Sequence, residues 1–287
     1  MAATRGYSPP WRRTLGYVAL GAFALLYLGP FLIQIATSFK TDTDAANHSL
    51  SLVPHPVDLS AWKRIFGYTP NSGVPFGRWL FNSTLVATCI TLGRVFLDSL
   101  AGYALARLRF PGRRAIFVLV LSVLAVPPVV LLIPRFLVLK ELSLYNSYSG
   151  MILPICADAT GIFLMRQFFV QIPVAVEEAA RIDGAGVWRT YWDVVLPLAR
   201  PGLITLTILS FQGSWNEFSF FLIATSDPKY NTLTTGLAKF SSGSLGAGTQ
   251  YPVTLGAALL STIPVAILFF VFQRQFVSGQ LSASTKG

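Results

Sequence analysis

Six long apolar runs dominate the sequence and leave few folds open to it. Each run holds about 20 residues, the length that an α-helix needs to cross the ~30 Å hydrocarbon core of a bilayer. Inside hydrocarbon every backbone hydrogen bond must be satisfied internally, which a helix achieves within one segment. The pattern therefore predicts an all-α membrane protein with six transmembrane helices, at residues 14–36, 80–105, 115–139, 148–169, 202–224 and 253–272.

Composition favours a membrane protein over a soluble one. The chain is 53% hydrophobic and 12% charged, with a mean hydropathy of +0.58, whereas soluble proteins average about 45–50% apolar and about 25% charged residues. The net charge of +10 is the one feature that would suit nucleic acid. Its distribution over short loops fits membrane topology better, so we expect membrane lipid and no nucleic acid as a partner.

The distribution of Lys and Arg also predicts the orientation. Cytoplasmic loops of membrane proteins carry an excess of these residues, and the clearest example here is the loop 107–114 (RLRFPGRR). Both termini and the polar segment 171–201 are therefore predicted to be cytoplasmic. The segments 37–79 and 225–252 become outer loops, the first an irregular cap and the second mobile.

The first apolar run follows arginines, as in a signal peptide, but it is too long for one and no small-x-small cleavage site follows it. We expect it to be retained as a transmembrane helix. The predicted organisation is a short cytoplasmic N-terminus, residues 1–13, followed by one transmembrane domain over residues 14–287. Five prolines inside the runs predict kinked helices, at Pro127, Pro128, Pro134, Pro154 and Pro264.

The polar segment 171–201 is the most unusual part of the chain, because it is densely charged between two apolar runs. Pro173 suits the first turn of a helix, the next residues through Ile182 read as helical, and Gly184 is a natural stop. A second short helix is predicted from Val187, ending at 196–197. Its stripe Trp188, Tyr191, Trp192 and Val195 has helical spacing and is expected to bury against the bundle or the membrane interface. Two interpretations are open at this point: an amphipathic hairpin that anchors the loop, or a docking site for a cytoplasmic partner.

The residues of this segment resemble those of a known family. Glu178-Ala179-Ala180, three residues, Gly184, nine residues and then Val194 to Pro197 are similar to the EAA loop of ABC importer permeases, E-A-A-x3-G-x9-I-x-L-P. The one departure is Val194 in place of Ile. Flanking stretches are similar to the second, maltose-type permease subunit of carbohydrate importers: 101–114, 144–154, 161–169, 214–218 and the ending Lys286-Gly287.

The resemblance implies a function and a set of partners. The loop would act as a coupling helix that docks in a cleft of an ATP-hydrolysing subunit, through Glu178, Ala179, Ala180, Asp183, Gly184, Leu196 and Pro197. The implied assembly contains a homologous second permease, two ATP-binding subunits and an extracytoplasmic solute-binding (lipo)protein. The implied location is the cytoplasmic membrane of a bacterium or archaeon, as a multi-pass protein. The implied substrate is a carbohydrate or a related polyol or sugar phosphate.

ATP hydrolysis is expected to take place in another chain. No G-x-x-x-x-G-K-[ST] phosphate loop is present, so we expect no cofactor on this chain, and ATP and Mg²⁺ to be used by the partner ATPase subunits. An enzyme is disfavoured, because the two histidines, His48 and His55, lack metal-ligand spacing. The cysteines Cys89 and Cys156 lie in apolar runs and are expected to be buried thiols. Remaining alternatives are an ion-coupled secondary transporter acting alone and an ABC permease for a non-sugar solute.

Four charged residues fall inside the predicted transmembrane helices, where charges are costly and mark functional candidates. Arg94 and Asp98 are spaced i, i+4, and an intrahelical ion pair is the expected account of them. The other two, Asp158 and Glu217, lie at similar depth, and Glu217 adjoins amides and a tryptophan that suit hydroxyl-rich sugars. The candidate substrate pathway therefore comprises Asp158, Gln212, Trp215, Asn216 and Glu217. Helix–helix polar contacts are the alternative interpretation of these residues.

Overall fold

The computed structural model describes residues 10–68, 74–241 and 250–284. The residues outside these ranges are 1–9, 69–73, 242–249 and 285–287. The family-like ending Lys286-Gly287 and the mobility expected of the Gly/Ser-rich stretch therefore lie outside the described residues. Within the described ranges the chain is helical and contains no β-strand.

Fifteen α-helices occupy the described residues, joined by 3-10 turns at Pro128–Leu131, Leu153–Ile155 and Pro228–Tyr230 and by a π-helical stretch at Thr190–Val195. The α-helices are α1 Pro10–Thr37, α2 Asp42–Asn47, α3 Ser60–Ile65, α4 Phe76–Arg107, α5 Arg113–Leu124, α6 Leu132–Glu141, α7 Tyr148–Ile152, α8 Ala159–Gln171, α9 Val174–Ile182, α10 Val187–Arg189, α11 Leu196–Leu198, α12 Arg200–Asn216, α13 Ser219–Ala224, α14 Leu233–Ser241 and α15 Tyr251–Ser284.

Three helices of the described chain are long and apolar enough to cross a membrane unbroken: Thr14–Thr37, Phe76–Arg107 and Tyr251–Gln273. They lie where the sequence predicts the first, second and last transmembrane helices. Three bent helix pairs pass the same test together, which gives up to six crossings if each pair is one span. The third and fourth predicted helices are therefore broken segments instead of single rods.

Proline chemistry accounts for two of these breaks. Pro127 and Pro128 separate two helices that meet at 100°, because proline cannot donate a backbone N–H and clashes with the preceding turn. Pro154 lies in the 3-10 turn before the 43° bend of the fourth predicted helix. Pro264 behaves differently, since α15 continues through it as one helix.

The fifth predicted helix, 202–224, is also interrupted. Helix α12 ends at Asn216, Glu217 has extended backbone angles (φ −64°, ψ 124°), and α13 begins at Ser219. No proline marks this break in the sequence, which is why the apolar run reads as continuous.

The described residues form two compact units. The first comprises the described parts of residues 1–76 and 239–260. In it the first outer loop, predicted as irregular, contains α2 and α3. Buried Asp44 accepts hydrogen bonds from the His55 backbone N–H (3.1 Å) and pairs with His48 Nδ1 (3.0 Å). The His55 N–H is the main reason why the pKa of Asp44 lies below its usual value.

The second unit, the described parts of residues 77–238 and 261–287, packs around α4. One apolar cluster includes Val86 and Ile90 of α4, together with Met151 and Phe220. The other includes Tyr103 of α4, together with Tyr191 and further apolar residues. The two cysteines are free thiols and are half-buried, not fully buried as expected. No group of metal-ligating side chains occurs among the described residues.

Close packing of α4 on α8 predicts a steric effect at Gly102. A Cβ atom there would lie 2.8 Å from Met165 Cβ and 2.9 Å from the Arg166 backbone nitrogen. We expect Gly102→Ala to lower the free energy of unfolding of the purified chain by about 1–3 kcal/mol, because overpacking outweighs the higher helix propensity of alanine. Denaturant unfolding in detergent, followed by tryptophan fluorescence, measures it.

The matched control is Gly77→Ala in the same helix, where a Cβ atom meets nothing within 4 Å. That variant should be as stable as the parent or slightly more so. Equal stability of the two variants would contradict the packing argument.

Candidate functional site

The polar segment 171–201 forms a helix–turn–helix with a structured elbow. Helix α9 begins after Pro173 and ends at Ile182, over the range that the sequence pattern predicts. The Ala185 N–H bonds the Ala180 carbonyl (2.9 Å) and the Gly184 N–H bonds the Arg181 carbonyl (3.0 Å). Gly184 has φ +81°, so these bonds make a Schellman motif, which favours glycine at this position.

The elbow presents most of its family-like residues to solvent. Glu178, Ala179, Asp183 and Gly184 are exposed, whereas Ala180 faces inward. Further along, Pro197 is exposed and Leu196 is half-buried. The surface is accessible to another protein, and it combines two carboxylates with small side chains.

Two large apolar side chains flank the elbow and were not among the predicted site residues. Ile182 is 86% exposed and Trp188 is 63% exposed. Exposed apolar side chains grouped beside a structured turn are typical of a protein interaction surface. The signal in the sequence was an isoleucine directly before the Asp-Gly turn, where a solvated loop would carry a polar residue.

The predicted aromatic stripe divides into a buried and an exposed half. Tyr191 and Val195 are buried, but Trp188 and Trp192 are exposed, so the expectation for the stripe holds only in part. The Tyr191 hydroxyl lies 2.8 Å from Ser99 Oγ of α4, and its ring packs 5.1 Å from that of Tyr103. The π-helical turn around it carries an extra residue, a feature frequent at functional sites.

An ion pair fixes the base of the segment to α4. Arg107 Nε lies 2.9 Å from Glu177 Oε1, and the two side chains are only 10% and 3% exposed. The two atoms are close without hydrogen-bond alignment, so the contact is electrostatic. The Arg107 Nη2 group donates to the carbonyls of Phe169 and Ile172 at the end of α8. Arg107 thus joins α4, the end of α8 and the start of α9, a role that the sequence pattern did not reveal.

The residues of the candidate substrate pathway have different environments. Gln212 and Asn216 are exposed one turn apart on α12, but Trp215 is buried and its Nε1 donates to the Ser261 carbonyl (3.1 Å). Glu217 accepts the Phe220 N–H (2.8 Å), which caps α13 across the helix break. Asp158 is half-buried at the break before α8. Asp158 and Glu217 occupy separate helix breaks.

The predicted intrahelical pair of Arg94 with Asp98 is wrong. Among the described residues the two side chains form no ion pair; Arg94 Nε donates to the Ile155 carbonyl (2.8 Å) and Asp98 Oδ1 accepts the Asp158 N–H (3.0 Å). Each charge binds the backbone of a neighbouring segment, because the broken helix there offers unpaired backbone groups.

The described residues combine apolar helices of membrane-spanning length with an exposed, anchored helix–turn–helix. Residues 98–280 match the family described as "Binding-protein-dependent transport system inner membrane component". The chain therefore belongs to this family and is a translocation subunit of an ABC importer, not an enzyme.

Similar proteins support this assignment. The chain is 36% identical over 267 residues to the sn-glycerol-3-phosphate transport system permease protein UgpE of Yersinia enterocolitica, covering 92% of this chain and 94% of that protein. It is 31% identical over 277 residues to the arabinooligosaccharides transport system permease protein AraQ of Halalkalibacterium halodurans, covering 96% of each. A chain in the crystal structure of a bacterial ABC transporter involved in the import of the acidic polysaccharide alginate matches with a TM-score of 0.80 and 26% identity, covering 94% of this chain and 99% of that one.

The buried pair at the base of the segment predicts different roles for two adjacent glutamates. Glu177→Ala should lower the free energy of unfolding by about 3 kcal/mol, because it leaves the buried Arg107 guanidinium without a counter-ion. Glu178→Ala removes an exposed side chain and should change it by less than about 0.5 kcal/mol. Denaturant unfolding of both purified variants in detergent measures the difference, and equal values would show that the ion pair does not anchor the segment.

Proposed function

We propose that this permease is one of two homologous permease subunits in an ATP-driven importer of a carbohydrate, polyol or sugar phosphate delivered by an extracytoplasmic binding protein. The observation that carries the proposal is the exposed elbow at Gly184 on its buried ion-paired base. The solute class is supported by relatives named for sn-glycerol-3-phosphate and arabinooligosaccharide transport.

The elbow is proposed to couple ATP hydrolysis to translocation. Glu178 and Asp183 supply carboxylates for basic residues of the ATPase subunit, and Ala179 and Gly184 permit close approach. Ala180, Leu196 and Pro197 shape the segment from its inner side and its far end. A segment that transmits motion between subunits must be rigid. The two backbone hydrogen bonds of the Schellman turn at Gly184 restrict the backbone there, whereas a loop without them would be free to move.

The proposed topology has six crossings with both termini and the segment 171–201 in the cytoplasm. It is supported by the arginine-rich loop 107–114, by the three continuous apolar helices and by the first two bent pairs, Arg113–Leu124 with Pro128–Glu141 and Tyr148–Ile155 with Ala159–Gln171. The third bent pair, Val187–Leu198 with Arg200–Asn216, begins inside the segment 171–201, so only its second helix falls in the fifth proposed crossing. Residues 14–287 then form one permease domain in the cytoplasmic membrane of a bacterium or archaeon, with 225–252 facing the binding protein. We propose that two ATP-binding subunits carry ATP and Mg²⁺, and that this chain binds no cofactor.

Substitution at the elbow tests the coupling role. Gly184→Asp should leave the protein in the membrane but abolish its association with the ATPase subunit, because it strains a left-handed residue and adds charge to the docking surface. Co-purification of the ATPase subunit from detergent-solubilised membranes measures association. Normal association and uptake by this variant would overturn the coupling role.

The matched control is Gly112→Asp. Gly112 precedes α5 and has φ +80°, nearly the same φ as Gly184, with nothing within 4 Å of a Cβ atom. The same strain and charge are thereby placed outside the elbow. Gly112→Asp should retain the ATPase subunit, so loss in both variants would indicate a general folding defect.

The two breaks in the fourth and fifth predicted helices are proposed to carry the substrate pathway. The Asp158 carboxylate accepts no hydrogen bond from any described residue, and Gln212 and Asn216 present amides from one helix face. Trp215 is proposed to position this surface through the Ser261 carbonyl, and Glu217 to cap α13 with one carboxylate oxygen while its charge acts on the solute.

Charge removal tests the pathway. Glu217→Gln keeps an oxygen that accepts the Phe220 N–H, and Asp158→Asn is nearly isosteric, so both variants should fold. We expect each to change selectivity among solutes by about tenfold, as for the loss of one charged hydrogen bond. Competition by sugars, polyols and sugar phosphates for uptake of the native solute measures selectivity. Unchanged transport in both variants would assign these acids to helix packing.

The native solute can be identified by mass spectrometry of the ligand that co-purifies with the cognate binding protein. A sugar, polyol or sugar phosphate would support the proposed solute class. An amino acid, peptide or metal would overturn that class while leaving the importer assignment intact.

A further inference from the structure

The fourth predicted transmembrane helix is interrupted in its middle. A 3-10 turn ends at Ile155, α8 begins at Ala159, and the two parts meet at 43°. Such a break exposes carbonyl groups at the end of the first part and N–H groups at the start of the second. In an apolar environment each unpaired backbone group is costly, so the break requires partners.

Helix α4 supplies a partner to each side of the break. Arg94 Nε donates to the carbonyl of Ile155, the last residue before the break, at 2.8 Å. Asp98 Oδ1 accepts the N–H of Asp158, the N-cap residue of α8, at 3.0 Å. The two charged residues lie one turn apart on α4 and reach across to opposite ends of the interruption.

The signs of the charges match the helix ends that they contact. The carboxyl end of a helix carries partial negative charge and favours a cation, whereas the amino end favours an anion. Arg94 meets a carboxyl end and Asp98 meets an amino end. Exchanging the two charges would place each against the wrong end.

Close packing holds the clamp residues in place. Asp98 is 0% exposed, and its second oxygen lies so near Gly161 that a Cβ atom there would clash with the carboxylate. A Cβ atom on Gly93, beside Arg94, would come within 2.8 Å of Cys156 Sγ inside the break. Because Gly93 of α4 and Gly161 of α8 have no Cβ atom, α4 can pack closely against the interruption.

We propose that Arg94 and Asp98 are positioning residues of translocation, forming a clamp that holds the break at residues 156–158 and fixes where the Asp158 carboxylate is presented. Only the backbone of Asp158 is held, so its side chain stays available to the pathway. The role of that side chain rests on the proposed function, whereas the clamp itself does not.

Cys156 lies inside the break and is half-buried, so its thiol reports on the clamp. With Cys89→Ser as background, it is the one remaining cysteine of the chain. The full-length protein in native membrane vesicles is treated with N-ethylmaleimide, and the labelling rate is measured. Arg94→Met and Asp98→Ala should each raise the rate about tenfold, as expected when one charge-assisted hydrogen bond no longer opposes local opening.

The double variant separates the clamp from an intrahelical ion pair. If each residue holds one side of the break, Arg94→Met with Asp98→Ala should label faster than either single variant. If the two residues chiefly neutralise each other, removing both relieves the unpaired charge, and the double variant should label more slowly than the singles. The second result would overturn the proposal.

Asp98→Asn supplies the conservative rescue, because its amide oxygen can still accept the Asp158 N–H. It should label at a rate nearer the background than Asp98→Ala does, and equal rates for Asn and Ala would overturn the proposal. Thr91→Val is the matched control, since Thr91 is also buried on α4 but donates only within its own helix, to Ala87. Its rate should equal the background, and a rise like that of the clamp variants would also count against the clamp. Because labelling needs neither ATP nor solute, failure here would leave the importer assignment untouched.

Discussion

Interrupted helices in apolar surroundings need polar partners, and α4 provides them along much of its length. At its amino-terminal end Asn82 Nδ2 donates to the carbonyls of Lys229 and Asn231. In its middle Arg94 and Asp98 bind the break before α8, and at its end Arg107 binds the carboxyl end of that helix. The second unit is built around this helix because it can bury polar side chains whose partners are backbone groups.

The same arrangement links the interior of the permease to its exposed elbow. Arg107 joins α4 to α8 and to Glu177 at the start of α9, and Tyr191 bonds Ser99 of α4 from the second arm of the segment. A force applied near Gly184 would therefore reach α4 through two buried polar contacts. Buried contacts hold the segment on α4 more firmly than exposed ion pairs would, since exposed pairs contribute little to stability.

Part of the structure could be predicted from the sequence, because it depends on the local properties of neighbouring residues. The Gly184 turn follows from a residue able to adopt positive φ after an amphipathic helix, and the three continuous apolar helices follow from hydropathy and length. The break at Glu217 was missed, because no proline marks it and its side chain caps α13 only once the chain has turned. The exposure of Ile182 was missed although its position directly before the Asp-Gly turn gave a signal in the sequence.

The sequence by itself determined the membrane class, the positions of the three continuous apolar helices and the turn at Gly184, since each depends on composition or on residues a few positions apart. Only the tertiary structure decided what the charges in those helices bind. Arg94 and Asp98 are four residues apart and predict each other as partners, yet their hydrogen bonds reach residues 61 and 60 positions away. The physical reason is that a broken helix presents unpaired backbone groups, which attract buried charges. The position of such a break relative to α4 is set by the fold and cannot be inferred from the spacing of residues in the sequence.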